Sequence, residues 1–343
     1  MELSIGLIGF GNVGRALARL IVSKNPALHA RYGLNISIMG IATANHGYAI
    51  DEHGLDIAHA LEAVERGSIS SLHVGPPVPD TLAFIQKAPA DLFVEVSPLD
   101  PQTGQPATEY ARLALRLNRH VVCANKGPVA FAYQELRDLA KRNGCGFLFE
   151  STVMDGVPVL GLVRETLPSV EISRIRGILN STTNNILTRM EAGIGLKDAL
   201  RKTQEIGIVE TNPSYDVDGW DAAVKIVILA NVLMDASLCP ADVDRVGIGG
   251  ITVGEVQAAA QKGQAIKLVC EAFREGETVR ARVRPEALPL DDPLARVRGT
   301  GNTVCLETDM ISQLSISEGE ATPMTTAYGI LVDIVNVARG HYQ

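Results

Sequence analysis

The chain has 343 residues, 20% of them charged and 46% hydrophobic, with a formal net charge of -8. That length accommodates two domains with real cores, and an acidic balance without a basic block argues against nucleic-acid and anionic-membrane partners. Five cysteines (Cys123, Cys145, Cys239, Cys270, Cys305) are scattered and never form a C-x-x-C pair, so no disulfide framework or zinc site follows and a reducing cytoplasm is expected. No apolar run is long enough to span a membrane, and Met1-Glu2-Leu3-Ser4 runs straight into a strand without a basic region or cleavage site.

Leu3–Phe10 reads as a buried parallel strand. Gly9-Phe10-Gly11-Asn12-Val13-Gly14 follows at once, and Arg15–Ser23 continues with helical spacing. A G-x-G-x-x-G between a strand and a helix is a dinucleotide-binding signal with a mechanical basis. Gly9 permits the tight turn, Gly11 lets backbone approach a pyrophosphate, and Gly14 lets the helix sit close on the sheet. The helix start then offers free N–H groups and a positive dipole end to phosphates. The second strand, Ile36–Ala42, ends at Thr43-Ala44-Asn45-His46-Gly47. The ribose-gripping Asp or Glu that marks NAD is missing there, so the expectation is NADP or NAD, with NADP favoured. His46 reads as an exposed loop histidine without a role.

Asp56–Arg66 reads as a helix and Gly75–Asp80 as a turn-rich break. Asp91–Val96 is a strand, and Ser97-Pro98 lies in the loop at its carboxyl end, where ligands of open α/β sheets bind. Glu109–Leu117 is a helix and His120–Cys123 a strand, followed by a carboxyl-end loop, Ala124–Pro128, that holds Lys126. Gln134–Asn143 is a helix and Gly146–Glu150 the last strand. The βαβ rhythm over residues 1–150 predicts a doubly wound parallel sheet.

Beyond Glu150 the pattern changes. Helices are expected at Val159–Thr166, Ile186–Glu191, Leu196–Glu205 and Glu255–Gln261. Strands are expected at Arg174–Leu179, Ile266–Phe273, Thr278–Val283, Thr303–Thr308 and Gln313–Ile316. This is a mixed α+β second domain, 151–320. Thr322–Arg339 reads as a helix returning to the first domain, which therefore comprises 1–150 and 321–343. Asn180–Asn185 is a polar knot suited both to helix capping and to holding a small polar ligand.

Chemistry concentrates in Glu205–Met234. Ala222–Met234 is apolar on almost every side, so it should be a helix buried all round. Asp221 and Lys225 interrupt it one turn apart on one face. A buried ammonium costs several kcal/mol unless it is paired or opens onto a polar cleft. A desolvated lysine beside carboxylates is suited to general acid–base work.

GFGNVG (9–14), ANKGP (124–128), ESTVMDGVP (150–158), GILNSTTNNILTRM (177–190) and EIGIVETNPSYDVDGWDAAVK (205–225) occur in this order. Together the chain resembles the homoserine dehydrogenase family, in its short form without a regulatory extension. The resemblance implies a Rossmann-type doubly wound parallel sheet plus a mixed α+β substrate and dimerisation domain. It also implies reversible reduction of aspartate 4-semialdehyde to L-homoserine with NADPH or NADH, in threonine and methionine biosynthesis, by a cytoplasmic homodimer. Lys225 and Lys126 match the catalytic lysines and Asp221 the acid before the helix lysine. Glu210 matches the acid that binds the substrate amine, with Asp216 as a companion. Asn180, Thr182 and Thr183 fall in the segment near substrate. Gly9, Phe10, Gly11, Asn12, Val13, Gly14, Thr43, Ser97, Pro98, Lys126 and Thr326 fall at the cofactor. Glu150, Val153, Asp155 and Val157 match a loop that in some members binds a monovalent cation such as Na+.

Several departures bear on substrate fit and on the cation. Ser181 stands where the family usually has Gly, Asn185 where Tyr is common, Met154 where Gly is frequent with Asp155 unusual beside it, and Glu318–Ala321 reduces a glycine-rich turn. Ser181 and Asn185 keep open a related NAD(P)-dependent dehydrogenase acting on another semialdehyde or amino alcohol, and two further rival readings follow from the residues. One is a phosphorylating aldehyde dehydrogenase acting through a Cys123 thiolate; the other is a nucleotide-sensing protein that has lost turnover.

Overall fold

The computed structural model describes residues 1–206 and 213–342. The chain divides into two compact units, Met1–Gly156 with Thr322–Gln343, and Val157–Ala321.

The first unit opens with β1 (Glu2–Ile8), α1 (Asn12–Tyr32), β2 (Asn35–Ala42), β3 (Tyr48–Ile50), α2 (Ile57–Glu65) and α3 (Thr81–Lys87). It continues with β4 (Leu92–Glu95), α4 (Ala107–Arg116), β5 (His120–Cys123), α5 (Lys126–Arg142) and β6 (Phe147–Leu148). The strand order is β3-β2-β1-β4-β5-β6. β2, β1, β4, β5 and β6 run parallel, whereas β3 is antiparallel to β2. The doubly wound sheet therefore carries one antiparallel edge. Strand order reverses between β1 and β4, which puts the turn after β1 and the loop after β4 side by side.

Ile5, Leu7, Leu17 and Ile21 are buried together with Ile330 and Ile334 of the C-terminal helix, which packs on α1. Each such side chain contributes roughly 1.5–3 kcal/mol by leaving water. Helix α1 runs nine residues beyond the expected Ser23 and contains Pro26. The loss of one N–H there is offset by Asn25, whose amide pairs with both the N–H and the carbonyl of Ile36. Gly33, at φ 64°, ends the helix by returning its N–H to His29.

The second unit comprises α6 (Val159–Thr166), β7 (Ile172–Ile178), α7 (Ser181–Glu191), α8 (Leu196–Glu205), α9 (Ser214–Val217) and α10 (Trp220–Leu233). Then come β8 (Asp244–Arg245), α11 (Val253–Gln261), β9 (Gln264–Glu275), β10 (Thr278–Pro289), β11 (Asn302–Thr308) and β12 (Leu314–Glu318); α12 (Pro323–Ala338) belongs to the first unit. The sheet order is β12-β11-β7-β9-β10-β8, antiparallel except for β8 beside β10. The β9–β10 hairpin pairs Gln264 with Pro289 and is longer than its apolar pattern indicates. Lys267 and Glu271 break that pattern, yet both are buried. Lys267 donates to Asn184 and to the Val297 carbonyl, and Glu271 sits between Arg174 and Arg282. Partners distant in sequence satisfy these polar groups and let the strand continue through them.

Candidate active site

In the first unit the glycine turn has the geometry its spacing predicts. Gly9 is at φ 106°, and a Cβ there would lie 2.7 Å from the Val96 carbonyl oxygen. A Cβ on Gly14 would lie 2.5 Å from the Gly9 carbonyl oxygen, so the first turn of α1 presses directly on the loop. At Gly11 a Cβ would meet nothing within 4 Å. That open face, above a helix start with no acid in its first turn, fits an incoming pyrophosphate. Phe10 is buried in the core, and Asn12 accepts from Arg15, which also donates to the Gly11 carbonyl. Thr43, at the end of β2, donates to the Gly47 carbonyl at 2.9 Å and accepts from the His46 N–H at 2.8 Å. His46 is engaged rather than idle, its Nδ1 lying 3.0 Å from the Gly67 carbonyl.

Lys126 is not in a free loop. It is the first residue of α5, capped by Asn125, whose Oδ1 accepts the Gly127 N–H at 2.8 Å. Pro128, without an N–H, falls in the first turn, where no intrahelical donor is needed. A first helical stretch from Lys126 meets a kink at Ala132, beyond which the helix runs to Arg142 from near the expected Gln134. Asn125 also donates to the Ser97 carbonyl at 3.0 Å and the Pro98 carbonyl at 3.2 Å, which ties the end of β4 to the start of α5.

The turn of Glu150, Val153 and Asp155 is held by α12. The Glu150 N–H donates to Asp333 at 2.8 Å, Ser151 donates to the Thr326 carbonyl, and Thr326 donates to Asp155 at 3.0 Å. Asp155 is at φ 44°. Thr326, expected at the cofactor, is thus engaged with this turn; Val157 begins the second unit. Among the described residues no group of three His, Cys, Asp or Glu side chains is placed to hold a metal ion.

In the second unit Asn180 is the hub. It caps α7, which begins at Ser181, five residues before the expected start. Its Oδ1 accepts from the N–H and the hydroxyl of Thr183, both at 2.8 Å. Its Nδ2 donates to Asp216 at 2.7 Å and to Asp221 at 2.9 Å. Lys225 Nζ lies 3.2 Å from the same Asp221 oxygen and donates to the Leu179 carbonyl at 2.7 Å. Lys225 and Asp221 side chains are only 14% and 10% exposed. Burial pushes the Asp216 carboxyl up, and the nearby Asp221 charge adds to this; bonds from Asn180 and Thr182 and the charge of Lys225 oppose it. Lys225, Asp221, Asn180, Asp216, Thr182 and Thr183 therefore form one network. Glu210 lies outside the described residues.

The departures at 181 and 185 have partners of their own. Ser181 accepts from Asn302 at 3.0 Å. The Asn185 oxygen accepts from Arg189 at 2.7 Å and Thr203 at 2.9 Å, so the amide joins α7 to α8. A cavity of about 590 Å³ opens beside it, lined among others by Ile206, Arg296, Arg298, Thr303 and Glu318.

The thiolate alternative fails on Cys123. That sulfur is fully buried, and burial, then the proximity of Glu95, pushes its pKa well up, so it stays a thiol. Glu95 itself escaped the sequence reading because DLFVEV looks like a plain core strand. Its carboxyl is buried and pushed up to about 8 by desolvation. Lys267 was overlooked for the same reason, and desolvation lowers it to about 8.

Comparison with known proteins agrees across both units. The family model described as homoserine dehydrogenase, NAD binding domain, matches residues 9–150, and that described as homoserine dehydrogenase matches 158–335. The chain is 38% identical to a homoserine dehydrogenase of Methanocaldococcus jannaschii, over 98% of each chain. It is 35% identical to an NAD(+)-dependent homoserine dehydrogenase of Pseudomonas canavaninivorans, over 98% of this chain and 96% of that one. Among solved structures, a hyperthermophilic archaeal homoserine dehydrogenase in complex with NADPH superposes with a TM-score of 0.84 at 31% identity, covering 99% of this chain and 98% of that one. Matched in both halves and over nearly its whole length, the chain belongs to the homoserine dehydrogenase family of NAD(P)-dependent oxidoreductases.

Proposed function

We propose that the chain interconverts aspartate 4-semialdehyde and L-homoserine, with Lys225 as the group that moves the proton. The observation that carries this is a buried amine at the head of an apolar helix, oriented by Asp221 and the Leu179 carbonyl. When bound, the nicotinamide supplies or accepts the hydride. In the reducing direction Lys225 gives a proton to the developing alkoxide, and in the oxidising direction it takes the proton from the hydroxyl. Asp221 keeps the amine aimed while Asn180 keeps Asp221 aimed. Glu210 and Asp216 bind the substrate ammonium, with Asn180, Thr182 and Thr183 shaping the floor. Lys126 is the second amine of the mechanism.

In the first unit, residues 9–14 with Thr43, Ser97, Pro98, Lys126 and Thr326 bind the cofactor. NADPH is the proposed preference, because no acid at the end of β2 is present to repel a 2′-phosphate. The name of the Pseudomonas relative specifies NAD(+) and supports the opposite choice. An absorbance assay with aspartate semialdehyde, run in parallel with NADPH and NADH, decides between them and tests the activity itself. Lys225→Ala should lower kcat by about 10²–10⁴-fold, the usual share of a general acid–base group. An unimpaired variant would remove Lys225 from the chemistry.

The backbone of Glu150, Val153, Asp155 and Val157 is the proposed monovalent-cation loop, tested by turnover with Na+ exchanged for a bulky organic cation. No helix among the described residues is long and apolar enough to cross a membrane, and scattered free thiols suit a reducing cytoplasm. A homodimer is proposed from apolar side chains left exposed on the second unit, Val246, Met310 and Ile311. Sedimentation at the 36.6 kDa of one chain would exclude it.

A further inference from the structure

The last residue of β4 is a carboxyl that none of the roles above uses. Glu95 is 1% exposed, and its register neighbours are Ile8 on β1 and Cys123 on β5. It therefore stands where the strand order reverses. One of its oxygens accepts the Ser97 N–H at 3.1 Å and also the Ser97 hydroxyl. From the other side Asn125 donates to the carbonyls of Ser97 and Pro98. The short segment after β4 is thus clamped twice, its donors by Glu95 and its acceptors by Asn125. The clamped segment also forms the wall of the glycine turn, because a Cβ on Gly9 would lie 2.7 Å from the Val96 carbonyl oxygen and 2.9 Å from the Ser97 nitrogen.

A strand end that only had to fill the core would do better with a residue like Val94, its fully buried neighbour. A buried carboxyl is costly in such a place, and its close bonds go to the loop at Ser97, with only a long 3.9 Å contact from the Cys123 thiol on β5. The titratable group bonded to it is Cys123 on β5, at 3.9 Å, and Asp333 on α12 acts on that thiol. Neither is a cation that would account for the carboxyl as half of an ion pair.

We propose that Glu95 is a positioning residue for the nicotinamide cofactor, fixing Ser97–Pro98 against the glycine turn and, through Asn125, in register with the helix start that carries Lys126. This rests on the reading that the first unit binds NAD(P)H; it adds the residue that shapes the binding loop from behind.

Glu95→Leu and Glu95→Gln separate positioning from bulk stability. Leucine removes the acceptor but fits an apolar strand and abolishes the desolvation cost of the buried carboxyl, while the Ser97 donors it releases lie in a half-buried loop within reach of water. The expected result is a thermal midpoint equal to or above that of the parent. The dissociation constant for NADPH, read by nucleotide fluorescence, should rise about tenfold, roughly threefold for each of the two bonds lost from Ser97. The KM for cofactor should rise in step while that for semialdehyde stays put. Glutamine keeps an acceptor oxygen and should restore affinity to within about twofold of the parent. Unchanged NADPH affinity in Glu95→Leu would overturn the proposal, as would equal loss in both variants. Should Glu95→Leu not fold, Glu95→Asp decides, since it keeps a buried carboxyl but withdraws it from Ser97 without touching a cofactor residue: a roughly threefold loss supports the role, and none overturns it. If the parent binds NADPH but never turns over the semialdehyde, the functional reading fails while the binding comparison still judges Glu95.

Discussion

Asn180 shows how much one side chain can settle. Its oxygen receives two donors from Thr183 and its nitrogen serves two carboxylates. Of the common side chains, only a carboxamide both accepts and donates twice. Asn180→Asp would keep the cap and lose both donors, placing a third carboxylate against Asp216 and Asp221. The new acid, crowded by like charges, would have a folded pKa above its unfolded one. Relative to the parent, stability is then retained below the ordinary Asp range and lost as pH rises through the folded value. Melts should show near-parental stability at acid pH and a deficit of about 3–5 kcal/mol near neutrality. No deficit near neutrality would mean that the asparagine acts only as a cap, which Asp also provides. The cap is local, announced by the asparagine before Ser-Thr-Thr, whereas the bonds to Asp216 and Asp221 are tertiary and nothing in that string names them.

At the scale of elements, the β1–α1 turn was legible because its constraint is local. Gly9 turns at positive φ and Gly14 meets the Gly9 carbonyl, both within a few residues of sequence, although Gly9 also faces Val96 far along the chain. Gly14→Ala would push a methyl to within 2.5 Å of the Gly9 carbonyl oxygen, and overpacking of this kind costs about 1–3 kcal/mol. Because the same carbonyl belongs to the turn proposed to bind the pyrophosphate, cofactor affinity should fall by more than about tenfold even where the protein stays folded. Fluorescence titration with NADPH measures this, and parental affinity in a folded variant would mean that the turn can yield without consequence. The start of α5 is the opposite case. Asn-Lys-Gly-Pro reads as a loop because Gly and Pro punctuate it, yet Asn125 caps it and the proline fits a first turn. What decides is the Asn125 amide, bonded to Ser97 and Pro98 far earlier in the chain.

For the whole molecule, each unit has its own sheet, and the cofactor residues proposed here lie in the first. NADP+ at about 100 times its dissociation constant should stabilise the native state by about 2.7 kcal/mol. For domains of this size that raises a calorimetric midpoint by roughly 5–10 °C. No shift would count against the glycine turn as a nucleotide site. By itself the amino-acid sequence determined what depends on near neighbours and on periodicity: the glycine turn, the alternation of strand and helix in the first unit, the buried helix carrying Asp221 and Lys225, and through its motifs the family. Only the tertiary structure decided how buried polar groups are satisfied, because their partners lie tens to hundreds of residues away. It joined Lys225, Asp221, Asn180 and Asp216 into one network, made Lys126 the head of a helix, carried β9 through Lys267 and Glu271, and set Glu95 behind the loop at the switch point. A charge inside an apolar run looks like an interruption until the atoms that neutralise it are in place.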